Sequence, residues 1–119
     1  MDLMQMAGHM SLEFSAAVEG PYGSDRGSTV RVWLDNGRGV SLTHEPERDE
    51  PGRVELMVIR EVIDGHGGTD SVHDYSTPVT SDVEPSQNID DVRAALTVLR
   101  DMPESDRYDL RSSRPGEGE

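Results

Sequence analysis

Two histidines and three aspartates crowd one short stretch of the chain: Asp64, His66, Asp70, His73 and Asp74. Imidazole nitrogens and carboxylate oxygens are the groups that hold zinc and related divalent ions. Their spacing does not suit a preformed site, because His66 and His73 are separated by a flexible glycine-rich loop instead of sharing one helix face. His66, His73 and Asp70 are therefore the metal-binding candidates of a metal-dependent enzyme, set against the plainer reading of a solvated loop. The same glycines could cradle a phosphate through backbone N–H groups. The run lacks both glycine-rich phosphate patterns, however, and Asp64 and Asp70 flank it and oppose an anion.

Other chemistries are constrained by what the chain does not contain. It has no cysteine, which excludes thiolate nucleophiles, thiolate metal sites and disulfides. All 11 basic residues are arginine, so no lysine Schiff base can form. No Gly-x-Ser-x-Gly elbow is present, and pairs of carboxylates carry no information in a chain with 24 of them. No catalytic residue and no cofactor is expected.

Trp33 stands out, with Arg31 beside it on the same alternating run. An exposed aromatic–arginine pair is a common interface anchor. The plainer expectation is that a helix covers Trp33.

Charge points to the class of partner. The net charge of −13 repels nucleic acid and anionic membranes and attracts basic surfaces. General solubility, a salty cytoplasm and genome drift would each produce the same excess. The acids gather in three places: Glu45, Glu47, Asp49 and Glu50; then Asp64, Asp70 and Asp74; then Asp82, Glu84, Asp90 and Asp91. Glu47, Asp49, Glu50 and Glu84, together with Trp33, are the expected partner-binding residues. The function expected is a small acidic protein-interaction module, of inhibitor or immunity type, acting on a basic protein surface without direct nucleic-acid binding. The alternatives are a small virion or assembly component and the metal-dependent enzyme. No run approaches the roughly 18 apolar residues of a membrane span, and no secretory signal pattern opens the chain. A soluble, cytoplasmic protein is expected.

These groups have to be positioned by a lean core, since only 33% of the 119 residues are hydrophobic. One α+β domain is expected over 11–103: an antiparallel meander of four to five strands with one C-terminal helix packed on the sheet. Residues 1–10, with Met1, Met4, Met6 and Met10, read as a flexible arm. Residues 104–119 read as a disordered polar tail, with Tyr108 and Leu110 as its large apolar groups.

Within the domain, Leu12, Phe14, Ala16 and Val18 alternate as a strand over 11–19. Val30, Val32 and Leu34 alternate over 28–35, and Val40 and Leu42 over 38–44. A three-residue loop, Asp35-Asn36-Gly37, pairs Val32 with Val40 and keeps both apolar sets on one face. The run 53–63 is apolar on both faces and reads as a central strand. A weak edge strand follows over 71–77. Asn88 caps a helix over 89–102, whose stripe is Ile89, Val92, Ala95, Leu96, Leu99 and Met102. In a meander, alternate connections share an end, so the 45–50 loop and the segment 82–91 should meet.

Overall fold

A computed structural model describes residues 1–23, 25–63, 66, 68–74, 77–79 and 83–105. Its order is α1 (Leu3–Phe14), β1 (Ala17–Gly23), β2 (Ser28–Trp33), β3 (Arg38–His44), β4 (Val54–Ile63), β5 (Thr69–His73), β6 (Glu84–Gln87) and α2 (Ile89–Arg100). All strand pairings are antiparallel. Strands β1 to β5 form the expected meander, and β6 adds to β4 outside that path. No helix among the described residues is long and apolar enough to cross a membrane.

The hairpin register follows from burial. Val32 pairs with Val40 and Val30 with Leu42, and all four are fully buried. Gly37 takes φ 79°, the left-handed conformation that the three-residue loop requires. Continuing the register places Leu56 and Val58 beside Leu42 and Val40. One face of the sheet thus becomes a continuous aliphatic surface.

Both helices close over that face. Val92, Ala95, Leu96 and Leu99 of α2 and Leu3, Met6, Ala7 and Met10 of α1 join Val30, Val32, Val40, Leu42, Val54, Leu56 and Val58 in one core. Asn88 and Asp91 form a reciprocal capping box at the start of α2, at 2.9 Å in each direction.

The N-terminal segment corrects the sequence reading. Residues expected to form a loose arm and a first strand over 11–19 instead make α1. Asp2 Oδ1 accepts from the Gln5 backbone N–H at 2.8 Å, and Gln5 Oε1 accepts from Asp2 N–H at 2.9 Å. Leu3, Met6, Ala7 and Met10 recur at helical spacing, and this period wins because it buries three large side chains. The alternation from Leu12 to Val18 is coincidental, since Leu12 is 86% exposed on the helix. Ser15 ends α1 in the left-handed region, and β1 begins only at Ala17.

Two further departures concern the C-terminal part. Strand β6 was not expected; its sequence, Glu84-Pro85-Ser86-Gln87, has no alternation, and a register shift accommodates Pro85 between its pairs with Val54 and Leu56. Ser105, assigned to the tail, is buried and donates its N–H to the Asn36 carbonyl at 2.9 Å. Residues 106–119, including Tyr108 and Leu110, lie outside the described residues.

Replacing Met6 with Ala should lower stability by about 2–5 kcal/mol, the usual cost of emptying a packed site. Met4→Ala, at a half-exposed position of the same helix, should change it by less than about 0.5 kcal/mol. Chemical denaturation of both variants distinguishes a core helix from a loose arm.

Candidate functional site

With both helices on one face, the opposite face of the sheet is covered by no element among the described residues. The register assigns its side chains. Ala17, Trp33, Gly39, Ile59 and His73 form one row across β1 to β5, and Glu19, Arg31, Ser41 and Met57 form the next. Tyr22, Thr29, Thr43 and Glu55 form a third. Trp33 therefore lies on the open face, and the expectation that a helix covers it is corrected. The valines on either side of it in sequence claim the helix-facing positions, and period two leaves Trp33 the other side.

Trp33 is held in place by its neighbours. Its indole N–H donates to Glu19 Oε1 at 2.6 Å. Glu19 also lies 3.9 Å from the Arg31 guanidinium, which stacks over the Tyr22 ring with its carbon 5.2 Å from the ring centre. Across the strand from Trp33 is Gly39. A Cβ there would collide with the Val32 carbonyl oxygen and sit 3.0 Å from Trp33 Cε3, so the bare backbone lets the indole lie against β3. Sequence reasoning overlooked Gly39, although a glycine inside a strand is itself a signal of close approach.

A polar notch of 80 Å³ opens beside the indole, lined by Glu19, Arg31, Trp33, Glu61, Thr69, Asp70 and Ser71. These residues belong to β1 and β2 on one side and to β4 and β5 on the other.

The acidic groups lie at the end of the sheet where β4 starts. Strand β6 pairs Gln87 with Val54, and Arg53 Nη1 donates to the Ser86 carbonyl at 3.1 Å. The 45–53 loop and the segment that begins at Glu84 are thus neighbours, as the alternation of meander connections requires. Asp82 lies outside the described residues. Glu47, Glu50 and Glu84 are exposed there. Beneath the loop is a cleft of about 390 Å³, with Leu3, Pro46, Pro51 and Val54 among its apolar lining.

Asp49 has a different role from the one expected. Its carboxylate, 4% exposed, accepts from Arg48 Nη2 at 2.7 Å and Nε at 2.9 Å and from the Glu45 backbone N–H at 2.8 Å. It ties its own loop together. Arg48 also reaches Glu45 at 3.0 Å and Glu55 at 3.4 Å. The Arg48 hydrogen bonds hold the Asp49 carboxyl below its ordinary pKa, aided by the Glu45 N–H and opposed by burial. The same hydrogen bond from Asp49 raises the pKa of Arg48. Asp90 and Glu13 are similarly engaged by Arg93, at 2.6 Å and 2.7 Å.

The metal-binding candidates are dispersed. His66 is exposed in the β4–β5 connection, Asp70 pairs across from Val62, and His73 pairs across from Ile59. Asp74 is buried against Arg38 at 3.1 Å. Among the described residues, no group of three His, Asp or Glu side chains is placed to hold a metal ion. Asp64 lies outside them. Comparison with protein families, with curated proteins and with solved structures returned no match for this chain.

The Asp49 contacts predict a pH effect. A carboxyl whose folded pKa is lowered adds stability above its unfolded pKa of about 3.9 and loses it as pH falls through the folded value. Asp49→Asn should cost about 1 kcal/mol at neutral pH, a modest figure because Arg48 is 39% exposed. The gap between the two proteins should narrow below about pH 4 and close in stronger acid, as read by denaturation across pH.

Proposed function

We propose that this chain is a small acidic protein-interaction module that docks a basic protein surface through the open face of its sheet. The observation that carries the reading is that both helices pack on one face. The opposite face is left with Trp33, Tyr22 and Met57, among the carboxylates of Glu19, Glu55 and Glu61. Rigid aromatic side chains supply contact area at little entropic cost, and surrounding acids select for positive charge. Glu47, Glu50 and Glu84 extend the negative field at one end and steer the approach. Inhibition of a basic site is the activity that fits this surface best. A net charge of −13 supports a protein partner over nucleic acid, and the cytoplasm is the compartment proposed.

Affinity capture with crosslinking, in extract of the source organism, tests this reading. Wild-type protein should retain a partner of high isoelectric point, less so as salt rises. Trp33→Ala should lose that partner. Glu47→Arg combined with Glu50→Arg should slow its association while leaving the melting temperature unchanged. A retained set that is the same for wild type and both variants, or indifferent to salt, contradicts the proposal.

A further inference from the structure

The outer side of α1 presents a second surface, independent of the open face of the sheet. Leu3, Met6, Ala7 and Met10 turn to the core, which leaves Met4, Gly8 and Leu12 on the solvent side. Residues four apart form one ridge along a helix. Met4 is 44% exposed and Leu12 86% exposed, so the ridge is apolar at both shoulders. Gly8 makes a gap midway between them. It lies inside the helix and has no positive φ, so backbone conformation does not call for glycine there. A Cβ at Gly8 would meet no neighbouring element among the described residues within 4 Å, so packing within the chain does not call for it either. Glycine inside a helix is destabilising relative to alanine. Its remaining physical use is to let another backbone come close.

We propose that α1 pairs with α1 of a second copy of this chain, the two helices crossing at Gly8 about a two-fold axis. Charge selects a copy as the occupant. Residues 3–12 are the longest run in the chain without Asp, Glu or Arg. Two chains of net charge −13 repel wherever acid meets acid, and this face lets them meet with least repulsion. A basic partner would gain no attraction from it. Glu13 borders the ridge, but Arg93 holds it at 2.7 Å. Shape points the same way. A two-fold contact sets one patch against itself and needs self-complementarity. A ridge with a central gap and a large side chain one turn to either side meets that need: gap crosses gap, and Met4 and Leu12 of both copies pack around the crossing. Two helices of 12 residues cover well under the roughly 800 Å² per partner of a stable interface, so the dimer is weak and forms at high protein concentration. The ridge faces away from the sheet, so Trp33 of each copy stays accessible.

Sedimentation equilibrium of the full chain, from about 10 μM to about 1 mM, tests the pairing. The protein should follow a monomer–dimer equilibrium. Added salt should lower its Kd, because screening relieves the repulsion between two acidic chains. Docking of a basic partner responds to salt in the opposite direction. Leu12→Gln should raise the dimer Kd at least about tenfold, since a leucine leaves the contact in both copies. Gly8→Gln should raise it by at least about as much, because a long side chain fills the crossing point. Neither variant should melt lower at dilute concentration. Glutamine favours a helix more than glycine does, and Leu12 is exposed in the monomer. Trp33→Ala should leave the dimer Kd unchanged.

Wild-type protein that stays monomeric at about 1 mM in high salt overturns the pairing, as does a dimer whose Kd is the same in both ridge variants. Growth beyond the dimer overturns it too, because a two-fold contact closes on itself. If the monomer instead sediments with phosphatidylcholine vesicles, and Leu12→Gln abolishes this, the ridge meets lipid and the pairing fails. None of these results bears on the open face, whose partner Trp33→Ala tests separately.

Discussion

The turn between β2 and β3 is the point on which the architecture depends. Gly37 supplies the positive φ that reverses the chain in three residues, and Asn36 uses the geometry so created. Its side-chain amide donates to the Leu99 carbonyl at 2.9 Å and the Met102 carbonyl at 3.2 Å. The last carbonyls of any helix lack partners within the helix, so one side chain from the sheet closes the end of α2. Arg38, two residues on, donates to the Pro103 carbonyl at 2.9 Å and to Asp74 at 3.1 Å. Ser105 closes the arrangement, its hydroxyl 3.2 Å from the Gly37 carbonyl. Strand register, the seat of α2 and the path of the chain beyond it are thereby fixed by one turn.

The sidedness of the sheet follows. Once Val32 faces Val40, every valine and leucine of β2, β3 and the first half of β4 falls on the helix side. Trp33, Arg31 and Glu19 fall on the other. Ile59 shows the separation well: it is buried, yet stands outside the core that the helices share. The open face therefore has its own packing, built on Trp33 and Gly39. The polar residues there are arranged around an indole and are not scattered over a plain solvated surface.

Much of this was legible in the residues, and the rest was hidden for specific reasons. The hairpin could be read because loop length and apolar alternation agree on one register. Helix α2 could be read because a cap, acidic first-turn residues and an apolar stripe coincide. Helix α1 was obscured by Leu12, Phe14, Ala16 and Val18, whose spacing imitates a strand, although Asp2 and Gln5 already held the three-residue spacing of a reciprocal cap. Strand β6 carries no pattern at all, because its place is set by the free half-edge of β4 and not by its own side chains. At the site, the shared end of the two acidic segments was foreseeable from topology. That Asp49 turns inward to Arg48 was not, since hydrogen-bond direction within a loop leaves no trace in residue spacing.

The central claim is that Trp33 lies on an accessible face in negatively charged surroundings, and ionic quenching of its fluorescence tests this most directly. Caesium and iodide quench an exposed indole by contact and differ in the sign of their charge. With each ion normalised to its effect on free tryptophan amide, caesium should quench Trp33 clearly and iodide markedly less, because Glu19 and Glu61 on this face and the net charge of −13 attract the one and repel the other. An indole reached by neither ion would mean that the face is covered, and equal quenching by both would mean that its surroundings are not acidic; either result contradicts the account.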